Sequence, residues 1–148
     1  MARGQFSIDF FLVLSVIIAF SIMLYGLAVT ETGKARLMDS AVMTKAYLDS
    51  ISASVDFVYF SGGSSRVSKM LFQPAEATCL YFDDTQKAFF CRISSTYLEG
   101  SKNRVFGRPL FANLAAANLK ISGCGQGWNQ VLVVNDGTQV LVTCSRVS

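Results

Sequence analysis

The order of apolar and polar positions divides the chain into three stretches. From Phe10 to Val29 it reads FFLVLSVIIAFSIMLYGLAV, twenty residues without a charge. At a rise of 1.5 Å per residue this run predicts a helix of about 30 Å, long enough to cross the hydrocarbon of a bilayer. Ser15 and Ser21 can return their hydroxyls to the carbonyl one turn back. Gly26 costs only about 1 kcal/mol in a helix and permits close approach of a neighbour.

Beyond Val29 the pattern becomes amphipathic. Leu37, Ala41, Thr44, Leu48, Ile51, Val55 and Val58 recur at alternating spacings of four and three, the period of a helix with one buried stripe, and Lys34, Arg36, Asp39, Lys45, Asp49 and Asp56 fall mostly off it. No Pro precedes residue 74, and the first strong stop is Ser61-Gly62-Gly63-Ser64-Ser65. A nearly continuous helix of about 55 residues follows, with Gly33 able to bend it; the alternative is two helices broken near Thr30 to Gly33.

After Gly63 short apolar and aromatic runs alternate with turn residues. They predict strands at Lys69 to Gln73, Cys79 to Phe82, Ala88 to Ser94, Val105 to Phe111, Asn118 to Ile121, Asn129 to Val134 and Gln139 to Cys144. Asn135-Asp136-Gly137-Thr138 predicts a two-residue type I′ hairpin, which would pair Val133 with Val140 and Val131 with Val142, on the face that carries Cys144 and meets the helix stripe. Residues 112 to 117 (ANLAAA) could form a helical turn and stay unassigned. The class is α+β: a long N-terminal helix on a C-terminal antiparallel β-rich domain.

Composition narrows the chemistry. The 148 residues are 51% hydrophobic and include no His, which excludes Ser-His-Asp triads and His-bound zinc. A mean hydropathy of +0.40 with 16% charged residues is high for a soluble globule. No nucleophile and base or ligand set can be assembled, so no catalytic residue, metal or cofactor is expected. The net charge is +3. Residues 66 to 120 are mildly basic, short of a nucleic-acid footprint. Lys102, Arg104 and Arg108 cluster around a turn at Glu99 to Asn103, either as a solvated loop or as a contact for an anionic surface, glycan or DNA. Asp83 and Asp84 fit turn chemistry better than a metal role. Gly123-Cys124-Gly125-Gln126-Gly127 lacks the following Lys-Ser or Lys-Thr of a phosphate loop and reads as a flexible turn. No Asn stands in an N-x-Ser/Thr sequon.

The four cysteines, Cys79, Cys91, Cys124 and Cys144, all follow the apolar segment. An even count in a small external domain predicts two disulfides, with three connectivities open. If the first hairpin closes through a three-residue loop at Asp84 to Gln86, Cys79 stands opposite Cys91, which favours Cys79 with Cys91 and Cys124 with Cys144. A four-residue loop would offset the first pair. A four-cysteine zinc site lacks the close ligand pairs such sites use, and buried free thiols are the remaining alternative.

Before the apolar run stand MARG and then Gln5-Phe6-Ser7-Ile8-Asp9-Phe10, with no convincing A-x-A-like cleavage site after it, so an ordinary secretory signal peptide does not fit. Arg3-Gly4-Gln5-Phe6-Ser7-Ile8-Asp9-Phe10 resembles the class III signal peptide of archaeal type IV pilin-like proteins, Q-x-S-x-E-F behind a basic and a small residue. Gln5, Ser7 and Phe10 match; Asp9 replaces the usual Glu, keeping the charge and shortening its reach by a methylene. The resemblance covers about the first 30 residues. It implies cleavage between Gly4 and Gln5 by a membrane-embedded prepilin peptidase on the cytoplasmic side. The apolar segment is then kept as the helix that joins identical or related subunits.

Physically, a carboxylate near the start of an apolar helix can pair with the ammonium that cleavage frees on an adjacent subunit, so Asp9 with Phe10 becomes the expected assembly position. The competing reading makes Asp9 a snorkelling residue on a monomeric signal-anchored protein with an external binding domain. Lys34 and Arg36 against the lone Arg3 would place the C-terminal part inside by a positive-inside count; the difference is one charge, and the cysteines favour an external domain. The expected organisation is a leader at 1–4, the long helix at 5–60 with its membrane part at 10–29, and the extracellular β-rich domain at 61–148. The expected role is a major or minor filament subunit for adhesion, its external target unspecified.

Overall fold

The computed structural model describes residues 5–94 and 104–147. One helix, α1 (Gln5–Phe60), is followed by seven strands: β1 (Arg66–Gln73), β2 (Ala77–Asp83), β3 (Ala88–Ile93), β4 (Arg104–Pro109), β5 (Leu119–Ser122), β6 (Gly127–Asn135) and β7 (Val140–Arg146). The fold is α+β. The chain divides into two compact units, Met1–Arg36 and Leu37–Ser148. The helix runs unbroken through Thr30 to Gly33, so the two-helix alternative does not apply. With no Pro and a single Gly between Gly26 and Phe60, nothing in the covalent chain interrupts the backbone ladder.

In the second unit the strands form two sheets. A meander β2-β3-β4 makes the smaller, and the larger has the order β1-β6-β7-β5. All pairs are antiparallel except β5 with β7, which run parallel, so the expected antiparallel domain is in fact mixed. The exception follows from the chain path. β5 and β6 are the arms of a hairpin into which β7 has inserted, so the loop 123–126 must arch across the end of β7, roughly 9–10 Å between the outer strands.

That crossing explains the glycines. Gly123 has φ +73, and a Cβ there would collide with the carbonyl oxygen of Cys144. Asn129 Nδ2 donates to Gly125 O (2.6 Å) and Gly127 O (2.9 Å), and Gln126 Nε2 donates to Ala75 O (2.6 Å). The stretch read as a flexible turn is therefore a pinned arch.

Helix and sheets share one core. On α1 the stripe is buried from Thr44 onward, through Tyr47, Leu48, Ile51, Val55 and Val58, while Leu37 and Ala41 are only half-buried. Facing residues include Val131, Val133, Val140, Val142 and Cys144 of the large sheet and Phe89 and Cys91 of the small one. Each fully buried Val, Leu or Ile contributes roughly 1.5–3 kcal/mol relative to exposure. The helix ends where Gly62 takes φ +84, and its last carbonyls are satisfied: Val58 O accepts from Ser65 Oγ (2.7 Å) and Asn135 Nδ2 (3.3 Å).

Both hairpin registers differ from expectation, and each difference has a local cause. The β6–β7 loop holds four residues, not two: Asn135 pairs with Val140, Val133 with Val142 and Val131 with Cys144. Asp136 organises it, its Oδ1 accepting from Thr138 N, Thr138 Oγ1 and Gln139 N, each at 2.8 Å. Those bonds hold its carboxyl well below the usual carboxylate range. The register slips by two residues, the period of a strand, so the same side chains still face the core.

The β2–β3 loop also has four residues, with Asp83 paired to Ala88 and Tyr81 to Phe90. Continued, that register would set Cys79 off Cys91. Instead the register shifts between Thr78 and Tyr81, where Cys79 and Leu80 both stand opposite Cys91 and Leu80 adopts φ +66. This bulge cancels the offset of the longer loop and turns Cys79 back towards its partner.

Tyr47 is 2% exposed and its hydroxyl has no hydrogen-bond partner among the described residues. Burial pushes its pKa up from 10.0 to about 12. The unfolded chain therefore releases this proton at lower pH than the folded one, and stability that is intact below pH 10 falls as pH rises towards 12. Tyr47→Phe should remove that alkaline slope while leaving neutral-pH stability equal or higher by about 1 kcal/mol, since no bond is lost. Denaturation of the detergent-solubilised chain across this pH range checks both.

Candidate functional site

The described residues of the first unit are all helical. Gln5 is its first helical residue. Gly4, the other side of the expected processing junction, lies outside the described residues, as does the rest of the leader. Every residue from Ile8 to Thr32 is exposed, including Phe10 at 59%, Ile22 at 68% and Val29 at 45%. Among the described residues nothing covers this apolar surface, and the helix is long and apolar enough to cross a membrane.

Four of its hydroxyls are turned back onto the helix. Ser15 Oγ donates to Leu12 O (2.8 Å), Ser21 Oγ to Ile17 O (2.8 Å), Thr30 Oγ1 to Gly26 O (2.6 Å) and Thr32 Oγ1 to Ala28 O (2.6 Å). A hydroxyl bonded this way presents little but carbon to lipid or to a neighbouring helix. Nothing lies within 4 Å of where a Cβ of Gly26 would stand, so that position is open to close approach. Asp9 is the only charged side chain between Gln5 and Thr30, and it is exposed next to Phe10, whose ring meets Phe11 edge-on at 6.0 Å. An ionisable group on an otherwise lipid-compatible surface is a functional position by default.

The second unit carries the cysteines as two bonds, Cys79–Cys91 and Cys124–Cys144, with none free. Disulfides persist in oxidising compartments and so point to an extracellular location for this unit. With one candidate span ahead of it, the chain has the layout of a single-pass membrane protein with an external domain.

The basic residues do not form an open patch among the described residues. Arg104 is exposed at the start of β4. Arg108, on the same side of that strand, has its Nε 3.5 Å from Asp49 Oδ1 on α1, a half-exposed pair worth at most about 1 kcal/mol. Lys102 and most of the turn at Glu99 to Asn103 lie outside the described residues. Asp83 and Asp84 diverge: Asp83 Oδ1 caps the loop through Thr85 N (2.8 Å), whereas Asp84 Oδ1 accepts from Lys87 Nζ (2.8 Å) and Ala116 N (2.7 Å). The Lys87 bond, seconded by Ala116, lowers the carboxyl of Asp84.

Two surface features escaped the sequence reading. An apolar groove of about 480 Å³ runs between Met43–Tyr47 of α1 and Met70–Phe72 of β1, with Trp128 at its side. A second groove, of about 420 Å³ and mixed polarity, lies on the outward face of the small sheet around Tyr81, Phe90 and Arg92. The available signal for the latter was Gly107, an isolated glycine in a strand pattern, which marks close approach of another group. Comparison with protein-family models, with curated proteins and with solved structures finds no match to this chain.

Proposed function

We propose that the chain is a non-enzymatic structural subunit of a type IV pilus-like surface filament, serving adhesion or surface attachment. The observation that carries the reading is the fully exposed apolar helix with one charge, Asp9, placed five residues from the Gly4–Gln5 junction of a class III-like signal. A prepilin peptidase would remove residues 1–4. The apolar helix, held in the membrane as precursor, would then exchange lipid for the same helix of neighbouring subunits.

The exchange is feasible because both environments are apolar, so packing and one polar pairing decide between them. Asp9, paired with the new amino terminus at Gln5 of an adjacent subunit, would set the axial register of the assembly; a charge-assisted bond in an apolar setting is strong enough for this. The disulfide-braced domain would stand outside and make the external contacts.

Electron microscopy of producing cells with gold label on the C-terminal domain tests the reading. Label spaced along filaments is the expected result. Label confined to the cell envelope, with no decorated filament, would overturn it in favour of a monomeric signal-anchored protein.

A further inference from the structure

The outward face of the small sheet is built unlike the rest of the domain. Tyr81 on β2, Phe90 on β3 and Val105 on β4 fall on this face by register, Tyr81 opposite Phe90 and Arg92 opposite Val105. Tyr81 is 54% exposed and Val105 55%. Gly107 lies opposite Phe90, and a Cβ there would come within 2.5 Å of the Phe90 ring. The missing side chain lets that ring lie across β4 and form a floor.

Around the floor stand three polar groups of different kinds: the Asp83 carboxylate, the Gln86 carboxamide and the Arg92 guanidinium. The frame is firm. Asp83 Oδ1 is tied to Thr85 N and Gln86 N (2.8 and 3.2 Å), and the Cys79–Cys91 bond with the Leu80 bulge fixes the backbone beneath Tyr81 and Phe90. Among the described residues no carboxylate forms an ion pair with Arg92.

We propose that this groove binds a neutral glycan, one pyranose ring lying on Tyr81 and Phe90 with its hydroxyls reaching Asp83, Gln86 and Arg92. A pyranose has an apolar C–H face and a rim of hydroxyls, each able to donate and to accept. Flat aromatic surface answers the first. An acceptor-only carboxylate, a donor-only guanidinium and an amide that does both answer the second. One acid and one base on the rim leave no net charge, which disfavours anions and cations alike. The groove lies on the face of the sheet, whereas a peptide adding a strand would dock along the outer edge of β2 or β4, and it is open, without the enclosure an acyl chain requires. Its 420 Å³ falls in the ordinary range for small-ligand sites. Binding here is independent of filament assembly.

The test uses the full chain in a detergent without a sugar headgroup, titrated with maltotetraose, cellotetraose, mannotetraose, galactotetraose and chitotetraose. Binding is followed by saturation-transfer NMR and calorimetry. At least one should bind saturably, and Tyr81→Ala and Arg92→Ala should each weaken it by at least about tenfold. Both residues are exposed, so thermal unfolding should be unchanged in the variants, and filament yield in cells should match wild type. Two results overturn the proposal: no binding to any of the five, or binding that neither variant weakens. Preferential binding of oligoglucuronate or DNA, abolished by salt, overturns it too, because it assigns the surface to charge alone. Loss of filaments in wild-type cells would count against the assembly reading and leave the sugar titration standing.

Discussion

Asp9→Ala should leave membrane insertion and domain folding intact while abolishing filaments, or reducing them by more than about tenfold, the effect of losing roughly 1.4 kcal/mol per subunit contact. Two opposing terms set the sign. A carboxylate carried to the centre of a bilayer costs about 2.5–3.5 kcal/mol, so its removal makes the helix a better membrane segment. In the proposed assembly the same carboxylate would have a partner, the ammonium at Gln5 of a neighbour, and deleting it would leave that charge unpaired in apolar surroundings, the more expensive error. Asp9→Glu should restore assembly, because it keeps the charge and lengthens the reach. If Asp9 only snorkels, the Ala variant assembles at wild-type levels. Shed-filament fractions normalised to equal membrane pools separate the outcomes.

The second large effect is expected at Cys124–Cys144. This bond closes a separation of 20 residues and holds the Gly123–Gln126 arch onto β7, the strand between β6 and β5. Chain-entropy reasoning assigns a loop of that size about 3 kcal/mol. Replacing both cysteines by Ala should therefore lower unfolding free energy by roughly 2–4 kcal/mol, with the edge strand β5 losing protection before the centre of the sheet. Hydrogen exchange in the detergent-solubilised chain reads the order of loss. In the exported wild-type protein, denaturation without reductant should expose no alkylatable thiol; four reactive thiols would contradict it.

What was legible in the sequence was whatever depends on period. The 3.6-residue stripe on α1 and the alternation in each strand located the helix and all seven strands, and even a register slip of two left Val131, Val133, Val140 and Val142 facing inward. Loop length was less legible, because Asp-Gly permits a two-residue turn but Asp136 can also organise a four-residue one through its own carboxylate. The Leu80 bulge had no sequence signal: Leu disfavours φ +66, and only the combination of the longer loop with the Cys79–Cys91 bond requires it. The parallel β5–β7 pair was hidden for a related reason, since local pattern says nothing of which strand inserts between two others. On the site side, Asp9 was visible because a lone charge at the edge of an apolar run is conspicuous. Tyr81, Phe90 and Arg92 looked like ordinary strand residues until pairing put them on one face.

Processing at the Gly4–Gln5 junction is the step that would turn a membrane helix into a filament segment. Intact-mass analysis and N-terminal sequencing of the chain from its producing cells test this most directly. The expected mature chain begins at Gln5, with Met1 to Gly4 gone and the formal net charge lowered from +3 to +2 by the loss of Arg3. A mature N-terminus at Met1 or Ala2 would contradict it.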